Sequence, residues 1–329
     1  MHYFLKRCGF QELGSVGEDG KAKRGRYLMT SNNEEVIDFF QSLSIEIAND
    51  TALLSVIPLY NRMRTYCSYV YHNSKYTGTE AKHPRNERRI YLNSEIENHQ
   101  LYFRAEDILV MRKSDSYTIS PEGEEQEFYY VDLVKNHSSG LYMRLSKIIE
   151  NYPIVGGYGI YDGELEFFEE QVKEFERGQV LTDVVIDKSV TDRISKASEE
   201  NKANVFNPAT FRDFVLAGYG NACAITGQPA DGIFGVGVDV VYIKPRAEGG
   251  DCNPSNGIAL SKDLSLAFIQ GKFTLSDNCE VLIHPDNDDL LVQQYQLKQI
   301  RIPPNKFFEP NKSNIIFHRE NIFGLFKKM

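Results

Sequence analysis

Residues 223–273 read CAITGQPADGIFGVGVDVVYIKPRAEGGDCNPSNGIALSKDLSLAFIQGKF, and this stretch sets the reading of the whole chain. Asp239–Ile243 is an apolar run suited to a buried strand. Pro245 and the pair Gly249-Gly250 break it, and Asn253-Pro254 marks a turn. Asn256–Ile258 could start the next helix, and Ser261–Ile269 reads as helical, closing at Gly271. The predicted order is a short helix end, a strand, a glycine loop and a helix.

Three phrases within it, VVYIKPRAEGG (240–250), NPSNGIAL (253–260) and SKDLSLAFIQGKF (261–273), resemble the HNH endonuclease family, the ββα-metal nucleases. In that family an Ala-Ala-His-Ile strand precedes a Pro and a Gly-Gly loop, then an Asn-Gly-hydrophobic turn and a helix carrying His-Trp-Ala-Phe-Asp. The resemblance covers about Phe206–Leu325 and implies a C-terminal ββα domain. By the same match, the family's general base falls on Tyr242, the orienting Asn on Asn256, the last His (a metal ligand) on Ser265, and the following Asp on Ile269. Such nucleases need a base with a pKa near working pH and a divalent cation held by carboxylate or imidazole. A Tyr titrating near 10 is a poor base, and a Ser hydroxyl is a weak ligand. The frame is kept and the ligands are lost, the pattern of a pseudo-nuclease retained for binding or assembly. No metal ligand is assigned and no cofactor is expected; Mg is implied only for an active centre.

A rebuilt centre is the competing reading, and two carboxylates are its candidates. Asp239 lies three residues before Tyr242 and so faces the opposite way on a regular strand, unless a bulge brings it in. Asp263 precedes Ser265 by two residues, about 200° around a helix, which points it away.

The rest of the chain is that of an ordinary globular protein of two or three domains: 329 residues, 41% hydrophobic and 25% charged. No run is long enough to span a bilayer, Met1–Gly20 with its charges is no signal peptide, and the cytoplasm is the default. The five cysteines are scattered and form no CxxC pair, so neither a zinc ribbon nor a disulfide framework is indicated, although many HNH proteins carry such a ribbon. The net charge of −9 is uneven: 16 basic against 14 acidic residues in 1–113, 8 against 19 in 114–200, and 13 against 13 in 201–329. Acid concentrates in the middle, and DNA contact is expected elsewhere.

Two basic, glycine-bearing stretches mark the N-terminal third. The first carries Lys21, Lys23, Arg24 and Arg26; the second carries Lys75, Lys82, Arg85, Arg88 and Arg89. As arms straddling a duplex, they would pair with phosphates, and Asn86 or an Arg could reach base edges. The bland alternative is a pair of solvated loops with local salt bridges to Glu80 and Glu87. Asn33–Leu43 reads as a short helix. Ala52–Tyr60 and Tyr66–Tyr71 are apolar runs, and strand-like runs follow at 89–92, 100–103, 107–112 and 128–134, which suggests a small barrel or sandwich. LYFRAEDILVMRK (101–113) resembles a strand pair in the pseudo-barrel DNA-recognition domains of some restriction enzymes. Tyr66, Tyr69, Tyr71 and Tyr76 read as packed sheet residues rather than base-stacking platforms. A hidden PD-(D/E)xK centre finds no support: Glu80-Ala81-Lys82 lies in a polar loop, and Asp132 and Lys135 alternate to opposite strand faces.

Leu141–Ile149 is a helical piece, and Gly156–Gly159 is a turn before a strand, not a phosphate loop. Glu164–Arg177 is an amphipathic helix whose stripe Leu165, Phe168, Val172 and Phe175 is core or a docking surface between domains. Residues 181–205 read as a linker, within which Val190–Ser198 has a helical pattern. Asn207-Pro208 caps the next helix, Cys223 is a small core residue, and His284 and His318 read as surface or cap residues.

The expectation is an α+β chain: an N-terminal mainly-β barrel-like or sandwich domain at 1–150 that reads DNA, a helix and linker at 151–205, and an HNH-like ββα domain at 206–329. The leading function is DNA binding of restriction or phage-defence type with a defunct nuclease centre. Its partners would be double-stranded DNA and either a second copy or an active nuclease subunit, with no membrane. The alternatives are an active metal-dependent endonuclease with a rebuilt site, and a protein–protein interaction module.

Overall fold

The computed structural model describes residues 1–14, 26–73, 85–97, 102–114, 117–118, 125–137, 139–153, 156–178, 184–230 and 237–328. The chain is α+β and divides into two compact units, 1–179 with 185–205, and 180–184 with 206–329.

The first unit is built on one eight-stranded sheet. In chain order its strands are β1 (His2–Arg7), β2 (Tyr27–Thr30), β3 (Thr51–Pro58), β4 (Thr65–His72), β5 (Glu87–Tyr91) and β6 (Ile108–Lys113). A two-residue pair, β7 (Tyr117–Thr118) and β8 (Glu125–Gln126), precedes β9 (Tyr129–Val134) and β10 (Tyr158–Asp162). The sheet order is β10-β1-β6-β9-β3-β4-β5-β2, antiparallel except for the parallel pair β3–β9. It is a single curled sheet, not a sandwich of two. Its two edges approach where Tyr158, opening β10, donates its hydroxyl to Ser31, just past β2, at 2.6 Å. Helices α1 (Phe10–Leu13), α2 (Glu34–Phe39), α3 (Gly140–Asn151), α4 (Glu166–Gly178), α5 (Lys188–Ser195) and α6 (Glu199–Val205) complete the unit.

Burial on both faces explains why the β3 and β4 runs do not alternate. Leu54, Val56, Cys67 and Tyr69 enter the barrel core, while α5 and α6 pack over the other face. Phe4, Phe39, Phe40, Tyr69, Tyr129 and Tyr158 fill the core with edge and offset ring contacts. Tyr66, Tyr69 and Tyr71 are buried sheet residues, and Tyr76 lies outside the described residues. The run at 100–103 forms no strand where it is described.

The stripe on α4 packs on its own unit. Leu165 and Phe168 are fully buried, Phe168 meets the Tyr3 ring edge-on at 5.6 Å, and Phe175 meets Tyr130 at 6.0 Å. Beneath α4, the buried Glu169 accepts from the Tyr3 hydroxyl at 2.5 Å and pairs with Arg112 at 3.0 Å. Residues read as a linker supply α5 and α6, which cover β4 and β3.

The second unit opens with α7 (Pro208–Gly218), whose N-cap Asn207 and Thr210 form a reciprocal capping box. Then come β11 (Val238–Tyr242), β12 (Gly257–Ser261) and α8 (Lys262–Ile269). Residues 257–258 are thus strand, not the start of a helix. GIALS pairs antiparallel with VDVVY from Val238↔Ser261 to Tyr242↔Gly257, and burial of that ladder overrides the local pattern. The hairpin β13 (Phe273–Leu275) and β14 (Val281–Ile283), the short α9 (Leu290–Gln293) and α10 (Lys312–Asn321) close the unit. Among the described residues no helix is long and apolar enough to cross a membrane.

Candidate nucleic-acid interface

In the second unit the hairpin β11–β12 is followed directly by α8, with the glycine loop between the strands held from inside. Asn256 is fully buried. Its Oδ1 accepts the Lys244 backbone N–H at 2.8 Å, and its Nδ2 donates to the carbonyls of Lys244 and Asp251, each at 3.0 Å. One side chain thus ties both ends of the loop, satisfying backbone groups of Lys244 and Asp251 that no ladder reaches. Gly250 is required beside it, because a Cβ there would lie 1.9 Å from the Lys244 carbonyl oxygen.

Tyr242 lies flat on Phe211 of α7, with ring centroids 4.2 Å apart and planes 3° from parallel, and its hydroxyl is 3.5 Å from the Cys252 sulfur. Ser265 is buried on α8 and shares its hydroxyl proton between the Lys262 carbonyl at 2.8 Å and Asp239 Oδ2 at 3.1 Å. Asp239 therefore meets α8, whereas Tyr242, three residues on, lies against α7, as strand alternation requires. Asp263 and Ile269 are exposed. Among the described residues no group of three or more His, Cys, Asp or Glu side chains is disposed to hold a metal ion.

The two remaining histidines of this unit serve packing. His318 is buried, stacked on Phe268 at 3.8 Å, with Nδ1 bonded to the Thr274 hydroxyl and Nε2 to the Phe268 carbonyl. Burial lowers its pKa to about 4, against the usual 6.5. It is thus an interior residue, not a surface one. His284 packs against Phe323 and Phe326, where the C-terminal tail folds back. Cys223 is buried, and its sulfur accepts the Thr226 N–H at 3.4 Å.

In the first unit the predicted DNA-contacting cations separate by environment. Lys21, Lys23, Arg24, Lys75 and Lys82 lie outside the described residues, as does Glu80-Ala81-Lys82. Arg26 is buried, forked onto Glu97 by two 2.7 Å bonds, bonded to the Leu13 and Phe103 carbonyls, and stacked on Tyr102. Its guanidinium ties together the chain segments around it. Arg88 is also buried, bonded to Asn32 and stacked 4.2 Å over Tyr71. Arg89 pairs with Glu87 and lies 4.1 Å over Tyr27. Arg85 is exposed.

Residues that the sequence pattern does not single out surround Arg89. Tyr27, His72, Tyr91 and Arg193 are half-buried on the same side of the sheet. Arg193 escaped notice because it lies in the segment read as a linker; the helical pattern seen at 190–198 was its only signal.

No family model matches this chain, and no curated protein sequence matches it. Among solved structures it is similar to the B3 domain of the UbaLAI restriction endonuclease, determined with cognate DNA. That likeness has 16% sequence identity and a TM-score of 0.30, over 48% of this chain and 85% of the other.

Proposed function

We propose that this chain is a DNA-binding protein of restriction or phage-defence type, in which an HNH-like ββα frame has lost its reactive groups and is retained to hold duplex DNA. Asn256 carries the reading: the side chain matched to the family's orienting Asn is buried and makes three hydrogen bonds across the loop. The positions of the base and the imidazole ligand support it too. Tyr242 is committed to a ring stack, and Ser265 to bonds within the fold. No cofactor is needed for this role. The protein would act in the cytoplasm, where its five free cysteines stay reduced, alone, as a pair of copies, or beside an active nuclease subunit.

One observation favours the alternative of a rebuilt, metal-dependent centre: the Asp239 carboxylate lies 3.1 Å from the hydroxyl of Ser265, the residue matched to the family's last His. The two readings part in one experiment. Supercoiled plasmid is incubated with the protein and Mg, Mn, Zn, Co or Ni, alongside the near-isosteric Asp239→Asn variant, and binding is followed by gel shift across a salt series. The expected result is a salt-sensitive shift without nicking. Metal-dependent nicking lost in Asp239→Asn would replace this reading with an active nuclease, and absence of any shift would remove DNA as the ligand.

A further inference from the structure

The strands β4, β5 and β2 end the eight-stranded sheet, with β2 at its edge. Leu28, Tyr69, Tyr71 and Ile90 from these strands enter the barrel core. Alternation therefore turns Tyr27, Met29, His72, Glu87, Arg89 and Tyr91 to the other face. The ladder sets Tyr27 opposite Tyr91, Met29 opposite Arg89, and Glu87 opposite His72. Helix α5 packs on β4 and brings Arg193 onto this face, its guanidinium carbon 3.4 Å from the centre of the Tyr91 ring. Arg89 lies over Tyr27 at 4.1 Å, and the two tyrosine rings are 5.9 Å apart. The result is a row of two guanidinium groups, each stacked on an aromatic ring, with adjacent rings. His72 closes it, with Nε2 2.7 Å from the Tyr91 hydroxyl.

This row is short of negative charge. Glu87 pairs with Arg89, and among the described residues no carboxylate pairs with Arg193. Burial, and then the Arg89 charge after the partly offsetting pull of Tyr91, lower the pKa of Arg193. Burial, followed by the charges of Arg89 and Arg193, holds His72 at about 4. Two cations thus crowd a half-buried face with one carboxylate between them, an arrangement that folding alone does not reward. Stacking also fixes the Arg193 guanidinium plane, so less freedom is lost when its rim takes up a planar, bidentate acceptor, while the Nε–Nη2 edge of Arg89 already holds Glu87 and leaves its other edge for a single contact. A polyanion supplies the missing charge, and phosphate oxygens match the fork.

We propose that this face, with Arg193 and Arg89 as donors, contacts backbone phosphates of duplex DNA. The inference rests on the DNA-binding reading above and adds to it a contact surface in the first unit, with α5 as a contributing element.

The test is fluorescence anisotropy of a labelled 25-base-pair duplex of arbitrary sequence between 50 and 200 mM NaCl. Wild type is compared with Arg193→Gln, Arg89→Gln and the control Arg62→Gln, each checked by thermal melt. One phosphate contact corresponds to a slope of about 0.9 in log K against log salt, or about eightfold in affinity at 0.1 M. Arg193→Gln and Arg89→Gln are each expected to lose about that much affinity and slope, with Arg62→Gln unchanged. Folded variants that keep wild-type affinity and slope overturn the assignment while leaving DNA binding intact. A wild-type protein that binds no duplex removes both. Should a variant unfold, arginine modification of the wild type by phenylglyoxal decides: Arg193 is expected to be protected by duplex, and equal labelling with and without DNA refutes the contact.

Discussion

Replacing Asn256 by Ala tests the frame of the second unit directly. The substitution removes three hydrogen bonds of 2.8, 3.0 and 3.0 Å at a fully buried position. Each contributes a net of about 1 kcal/mol, and a buried backbone group left unpaired costs about 1–3 kcal/mol more. Lys244 loses partners for both its N–H and its C=O, so the expected loss is about 3–5 kcal/mol. For a unit of this size, about 3–5 °C of melting temperature follows each kcal/mol, a fall of about 10–20 °C. The chain has no Trp, so unfolding is best followed by near-ultraviolet circular dichroism of its tyrosines together with the far-ultraviolet signal. Asn256→Asp keeps the acceptor for the Lys244 N–H but sets a carboxylate against two carbonyls, and is expected to fare no better than Ala. A fall of less than about 3 °C would refute the claim that this side chain braces the loop. The same arithmetic makes Asp239→Asn the cleaner variant in cleavage assays, since activity lost with Asn256→Ala reports unfolding as readily as chemistry.

Further outcomes follow from the same geometry. The pKa of His318 is about 4 in the folded protein and near 6.5 when exposed, so the unfolded chain binds the extra proton first. Stability of the second unit is therefore level above about pH 7.5 and falls as pH drops from 6.5 towards 4, by up to about 3 kcal/mol. Urea midpoints at pH 7.5 and 5 measure it, and equal midpoints would contradict it. Arg26→Met strands the buried Glu97 and is expected to destabilise the first unit by about 3–5 kcal/mol. Chemical denaturation checks that effect, and weaker DNA binding at unchanged stability would contradict the structural role. Gly250→Ala drives a Cβ into the Lys244 carbonyl, and a loss of about 2 kcal/mol or more is expected by the same method.

Part of the second unit was legible from residue order alone, because a glycine pair and short apolar runs are local devices. Local pattern gave a strand at 239–243 and a helix at 261–269, where the structure has Val238–Tyr242 and Lys262–Ile269, whereas the weight on Asn256 came from the family resemblance. The amphipathic helix at 166–178 was equally plain from its 3.6-residue period, but the surface that receives its stripe was not. Either a neighbouring unit or its own sheet satisfies the same periodicity.

Sequence by itself determined where this chain makes helices and strands in most of its length, and that its five cysteines form no CxxC pair. Tertiary structure alone decided which cations are spent inside the fold. Arg26 and Arg88 look the same as Arg85 in a basic stretch, yet two are buried against partners and one is exposed. It also decided that Gly257–Ser261 is a strand, that Asp239 meets Ser265, and that Arg193 joins Tyr91 from more than a hundred residues away. Each of these depends on a partner distant in sequence. Local propensity amounts to tenths of a kcal/mol per residue, whereas burial against such a partner amounts to several, and the larger quantity prevails.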